Sequence, residues 1–240
     1  MGAKNLTYPE PTSQAQRHDD YFIPLELKLD PQERNSFFEF FKTEFLPTID
    51  FKKALYSPMG NAARYFPKTV EQTKHFLSAI GLTVRNLTVF VAPPTYNIND
   101  ARNIHVDSVK MPDGSDVILE ARLSYYEMAD TPGVVRWFPK ETEYTHYREH
   151  IPGKLESSIW TLPWIQQLKA HKVNWEDVPD WDFATVTNTP SGIIRTNIPH
   201  HVIQGGGNRL TISAQIVWPE TGSPVGVWAH IYNNRHLLGV

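Results

Sequence analysis

The sequence predicts a mainly β protein with flanking helices: a double-stranded β-helix, or jelly-roll (cupin-like) barrel, buttressed by N-terminal helices. Three observations predict it. From Leu82 onward apolar residues recur with period two, in about eight strand-like segments, the number a jelly roll uses. Before Leu82 the apolar spacing is helical. The 240 residues, 40% hydrophobic and 20% charged, suffice for one such domain with its own core. The organisation expected is therefore one domain over 1–240. Residues 1–20 form a loosely ordered polar segment, 21–83 a strand and buttressing helices, and 84–240 the double-stranded β-helix, with a lid-like insertion at 139–181.

In chain order, Tyr21 to Leu29 (YFIPLELKL) reads as an edge strand, the place in a sheet that tolerates Pro24. Asp30-Pro31 reads as an N-cap and first helical residue. The helix that follows carries a broad stripe of Phe37, Phe38, Phe40, Phe41, Phe45 and Leu46, suited to core packing against a sheet, and Pro47 ends it. A second amphipathic helix spans Val70 to Ile80, with Gly81 at its C-terminal cap. Strands are predicted at 84–91, 103–109, 117–127, 134–138, 183–188, 192–197 and 209–218, with a last one near 225–232. The Asp-Gly of MPDGSD (Met111 to Asp116) marks a tight turn. Between Pro139 and Trp181 the period breaks down, and Trp160, Trp164, Trp175 and Trp181 accumulate with Tyr144, His146, Tyr147, Arg148 and His150. A short helix is expected near Pro163 to His171. So long an insertion reads either as a functional lid or as a satellite core.

The net charge of −3 gives no broad basic field, so nucleic-acid binding is not expected. No apolar run reaches the ~18 residues of a membrane span, and no apolar signal core opens the chain, so a cytoplasmic location is expected. The absence of cysteine removes disulfides and thiolate chemistry, leaving histidine and carboxylate as metal-binding groups.

Those groups fall in one pattern. His105 and Asp107 share a face of an extended segment, and the stretch Thr189 to Val217 carries the adjacent pair His200-His201, a glycine loop, and a strand opening with Arg209. Arg209, Thr211 and Ser213 share one face of that strand while Leu210 and Ile212 share the other, so a guanidinium and a hydroxyl are placed to clamp a carboxylate. Two histidines and one carboxylate make the facial triad of non-haem Fe(II) oxygenases. A second H-x-D, His18-Asp19-Asp20, lies in a polar stretch with no strand pattern and reads as solvated. His146, His150, His171, His230 and His236 read as surface or packing residues.

His105-x-Asp107, a distant His200, then Arg209-x-Thr211 resembles the Fe(II)/2-oxoglutarate-dependent dioxygenase superfamily. The run Pro190-x-Gly192 followed by Pro199-His200-x-Val202, with arginine nine residues after its histidine, is most similar to the aspartyl/asparaginyl β-hydroxylase-like branch, although Thr211 stands where that branch often has histidine. The resemblance covers roughly Arg85 to Trp218. It implies Fe(II) held by His105, Asp107 and His200, with 2-oxoglutarate as co-substrate bound by Arg209 and Thr211. It implies hydroxylation of an unactivated carbon of a small-molecule or peptide substrate, releasing succinate and CO2, with the 139–181 insertion over the substrate. The carboxylate of Asp107 implies hydroxylation and not halogenation. Spacing alone leaves His200 and His201 both open as the ligand; the resemblance selects His200. Because the ligands are expected at a barrel rim, His105→Ala or Asp107→Ala is expected to abolish Fe(II) binding and leave the fold largely intact. Two other readings stand beside this one: a cupin-like metal enzyme that needs the metal but not Arg209, and a metal-free jelly-roll binding protein that needs neither.

Overall fold

The computed structural model describes residues 20–48, 57–59, 62–92, 106–111, 113–127, 133–137, 145–148, 158–161, 183–187, 189–198, 200–203 and 209–240. Its strands are β1 (Phe22–Leu25), β2 (Ser57–Met59), β3 (Thr83–Ala92), β4 (Ser108–Lys110), β5 (Asp116–Ile118), β6 (Ala121–Glu127), β7 (Gly133–Trp137), β8 (Thr145–Arg148), β9 (Ser158–Thr161), β10 (Phe183–Thr187), β11 (Ser191–Arg195), β12 (His200–Ile203) and β13 (Arg209–Val217). The α-helices are α1 (Pro31–Phe40), α2 (Pro67–Ser78) and α3 (Val227–Asn234). All strand pairs among the described residues are antiparallel. A six-stranded sheet runs β1-β11-β6-β13-β3-β2, a three-stranded sheet β10-β7-β12, and β4-β5 and β8-β9 form separate pairs.

Alternation along the central strands gives the large sheet two faces of different character. Leu210, Ile212, Ala214 and Ile216 of β13 join Ala121, Leu123 and Tyr125 of β6 and Val89 of β3 in one buried cluster with Phe37, Phe41, Leu77, Val227 and Ile231 of the helices. The opposite face meets the three-stranded sheet, where Phe22, Ile194, Val135 and Trp137 form a second apolar cluster with Tyr21. Two antiparallel sheets thus face each other across a core, with helices on the outer side of the larger one. Closure of the sheets into a barrel is not seen among the described residues.

Local chemistry explains the elements. The Asp30 carboxylate accepts from the N–H groups of Gln32 and Glu33, each at 3.0 Å, and Pro31 sits in the first helical turn. After α1 the chain widens into one π-turn, Phe41–Phe45, and tightens into a 3-10 turn, Leu46–Thr48, that includes Pro47. α2 starts three residues earlier than its apolar spacing predicts. Glu33, buried, accepts from the backbone of Lys68 at 2.6 Å and Thr69 at 3.0 Å and from the Thr69 hydroxyl at 2.9 Å, so the first turn is capped across space. Glu33→Ala is expected to lower stability by about 2 kcal/mol, because it strands those donors. Urea unfolding reads this directly, and an unchanged midpoint would show that water replaces the cap.

On β3 one extra residue opposes β13 between the Ser213 and Gln215 pairs. Asn86 sits there at φ +50° and its amide donates to Gln215 at 3.2 Å. The predicted Asp-Gly turn joins β4 to β5, with Gly114 at φ +86°. The predicted last strand, 225–232, is instead helix α3. Val227, Trp228 and Ile231 bury at helical spacing, and the Glu120 carboxylate accepts from the N–H groups of Gly226 at 2.9 Å and Trp228 at 3.0 Å. The strand predicted over 117–127 is broken between Ile118 and Ala121, where Leu119 and Glu120 bond to the segments of Asp107 and Thr196. Within 139–181 the described residues form the β8-β9 hairpin. The predicted helix near Pro163 to His171 and the first twenty residues, Asp20 excepted, lie outside the described residues.

Tyr125 couples α2 to β6 through a 2.7 Å bond to Thr73, and burial pushes its phenol above the ordinary value of 10.0 despite that bond. The folded state therefore holds this proton more tightly than the unfolded chain. The stabilisation is whole below pH ~10 and is lost as pH rises from there toward the raised value. Phenolate absorbance is expected to show a tyrosine ionising above the ordinary range in the folded state; a normal titration of all tyrosines there would contradict it.

Candidate metal and co-substrate site

A polar stripe crosses the inner face of the large sheet. Ser124 and Ser213 are directly paired and their hydroxyls lie 3.0 Å apart. Thr211 stands beside Tyr126 of β6 and Phe90 of β3. Gln215 accepts from Arg85 Nε at 3.1 Å, and Arg122 pairs with Gln215 across β6 and β13. Alternation delivers these residues to the interior because their neighbours along the strand are the apolar residues that bury against the helices.

Asp107 is fixed at this stripe from three directions. Its N–H donates to the carbonyl of Thr196 at 3.1 Å and its carbonyl accepts from Leu119 N–H at 2.9 Å. Its carboxylate Oδ2 accepts from Nε of Arg122, and the two side chains are only 14% and 15% exposed. Thr196 is itself held by Glu120 and Leu119, through its N–H at 3.0 Å and its hydroxyl at 2.6 Å. Asp107 was expected at a rim, where its replacement leaves the fold largely intact; it is instead a largely buried ion-pair partner. Removing it would leave Arg122 uncompensated.

His200 follows Thr196 by four residues and opens β12. It pairs with Trp137 of β7, and Val202 pairs with Val135, so His200 belongs to the face that carries the buried Trp137 and Val135; it is 3% exposed. Its Nδ1 lies 3.0 Å from the carbonyl of Ile198. A carbonyl only accepts, so the proton sits on Nδ1 and the basic lone pair on Nε2. His201 takes the alternate register position, opposite Arg136.

His105 and the side chains of His201 and Arg209 lie outside the described residues; the backbone of Arg209 pairs with Ala92. Among the described residues no group of three or more histidine, aspartate or glutamate side chains is close enough to hold a metal ion. The donor types that are described suit one nonetheless. Asp107 is a carboxylate held in place by Arg122, and His200 has its tautomer fixed by a carbonyl, as metal-ligating histidines commonly do. Nη1 of Arg122 is buried without a partner among the described residues, at a cost of about 1–3 kcal/mol that a bound acceptor would offset. His230 is a packing residue, as its sequence context predicts: Nε2 lies 2.7 Å from the Ile80 carbonyl and the ring packs edge-on against Trp218.

No family model matches the chain, and no curated protein matches it. Several solved structures are similar to it. HygX from Streptomyces hygroscopicus, solved with nickel and 2-oxoglutarate, is 9% identical over 86% of each chain with a TM-score of 0.45. The viral collagen prolyl hydroxylase vCPH from Paramecium Bursaria Chlorella virus-1, a 2OG complex, is 11% identical over 82% of this chain and 94% of its own, with a TM-score of 0.41. SnoK, a non-heme alpha ketoglutarate dependent carbocyclase from nogalamycin biosynthesis, is 12% identical over 90% and 87%, with a TM-score of 0.46. At these identities and TM-scores the residue-level reading stands on this chain's own geometry.

Sequence reasoning missed Arg122. The signal was available: in ARLSYYE the arginine, Ser124 and Tyr126 share one face of a strand whose other residues, Ala121, Leu123 and Tyr125, are core. A lone cation on an inward face calls for an anionic partner. Among the described residues no helix is long and apolar enough to cross a membrane.

Proposed function

We propose that the chain is an Fe(II)- and 2-oxoglutarate-dependent dioxygenase that hydroxylates an unactivated carbon of a small-molecule or peptide substrate, releasing succinate and CO2. His105, Asp107 and His200 would hold the metal; Arg209 and Thr211 would hold the far carboxylate of 2-oxoglutarate. The observation that carries this reading is His200: buried on the inward register of β12, with Nδ1 committed to the Ile198 carbonyl, it presents the tautomer a metal ligand needs. The fixed carboxylate of Asp107 and the position of Thr211 on the inner register of β13 support the same reading.

Bound Fe(II) supplies the dioxygen and redox chemistry. The chain's own residues position and shield. Asp107 and His200 are held by bonds to Arg122 and Ile198, Thr211 lines the interior beside Phe90, and the buried apolar cluster of Trp137 and Phe22, on the face His200 shares, would keep water away. Within the superfamily, the Pro-His-x-Val text with arginine nine residues after its histidine supports the aspartyl/asparaginyl β-hydroxylase-like branch. One domain over 1–240 with 139–181 as the substrate lid, in a cytoplasmic setting that suits a chain without cysteine, completes the proposal. The test is succinate release with Fe(II), ascorbate and 2-oxoglutarate. Succinate above the iron-free control is expected. None from folded, iron-supplied protein would favour the cupin-like or metal-free reading.

A further inference from the structure

We propose that Arg122 is a second cation for the far carboxylate of 2-oxoglutarate, with Nη1 as the donor, an assignment that deepens the proposed function and rests on it. Three observations carry it. Nη1 is buried and has no hydrogen-bond acceptor among the described residues. Buried donors in folded chains are nearly always satisfied, and a charged one left over is the costliest kind, so this N–H calls for an acceptor from outside the chain. The guanidinium is also fixed in place. Its Nε donates to Asp107, and in a planar fork the Nε and Nη1 hydrogens point in different directions, so Nη1 serves another acceptor.

The third observation is where the guanidinium lies. Arg122 stands opposite Gln215 in the register of β6 and β13, whereas Phe90 of β3 stands opposite Thr211. The guanidinium carbon is nonetheless 5.9 Å from the centre of the Phe90 ring, so the side chain runs diagonally over β13, from the Gln215 row toward Thr211. The Ser124–Ser213 pair stands between those rows, two short side chains that bond to each other. A diacid whose keto-acid end meets a metal at Asp107 sends its far carboxylate toward Thr211, the direction in which Arg122 leans. Arg209 remains the other cation in this reading. Two guanidinium groups on one carboxylate make the site selective for a 2-oxo diacid over a 2-oxo monoacid.

The probes are 2-oxoglutarate and 2-oxopentanoate, which has the same keto-acid end and chain length but a methyl group in place of the far carboxylate. Each is titrated calorimetrically, without oxygen and with excess Co(II), into wild type, Arg122→Met and Arg122→Lys, with cobalt content and folding checked in each. Wild type is expected to prefer 2-oxoglutarate. Arg122→Met is expected to lose about tenfold or more of that preference, and Arg122→Lys, whose one ammonium pairs with Asp107, to lose less. The preference is the decisive reading, because a role exerted only through Asp107 and the metal weakens both keto acids alike, and a water molecule on Nη1 leaves both unchanged. Should Arg122→Met fail to fold, Arg122→Lys decides alone. A folded variant at Arg122 with the wild-type preference, or a wild type that binds both acids equally, overturns the inference while the metal reading stands. A wild type that binds neither acid overturns the proposed function, and the inference with it.

Discussion

Asp107→Ala is expected to abolish metal binding and, in the same variant, to destabilise the metal-free protein by about 3 kcal/mol. The first effect follows from losing the one carboxylate of the ligand set. The second follows from the ion pair: the Arg122 guanidinium would remain largely buried with its Nε unpaired and its Nη1 already without a partner among the described residues. The two effects separate in Asp107→Asn, whose amide oxygen still accepts from Arg122. That variant should lose the metal yet keep more of its stability. Metal titration beside urea unfolding of both variants checks this. Unchanged stability in Asp107→Ala would mean that the Asp107–Arg122 contact is not maintained in solution.

His200→Ala and His201→Ala are expected to behave oppositely. Removing an outer partner of a ligand costs 10–100-fold in metal affinity as an order of magnitude, so removing the ligand His200 should cost ~100-fold or more. His200→Ala should also cost about 1–3 kcal/mol in stability, since the ring is 3% exposed and its replacement leaves a cavity beside Trp137 and an unpaired Ile198 carbonyl. His201→Ala should retain the metal. Retention in the first variant and loss in the second would reverse the assignment.

How much of this was legible in the sequence depends on the range of the forces involved. The helix start at Asp30-Pro31, the edge strand holding Pro24, the Asp-Gly turn and β13 with its two faces are local: a cap, a missing N–H, a turn conformation, a period-two register. Each is written within a few residues and each is found in the fold. The C-terminal segment misled because Val225, Val227 and Ile231 fit alternation loosely. Its helical state is decided by a carboxylate at Glu120, more than a hundred residues away, that caps it. The earlier start of α2 has the same kind of cause, a cap from Glu33. In the site, the spacing of His105, Asp107, His200, Arg209 and Thr211 was readable, and the inward register of His200 against Trp137 was not, because it depends on how β12 pairs with β7. The inward place of Arg122 is written in the alternation of β6, but its partner is not: nothing near it in sequence is acidic except Glu120 and Glu127, which bond to α3 and α1, and Asp107 arrives from another strand connection.

The measurement that tests the central claim most directly is calorimetric titration of 2-oxoglutarate, without oxygen, into the protein with and without Fe(II), repeated on His200→Ala. The account predicts binding that requires Fe(II) in the wild type and disappears in His200→Ala. Equal binding with and without the metal, or no binding by iron-supplied wild type, would contradict it.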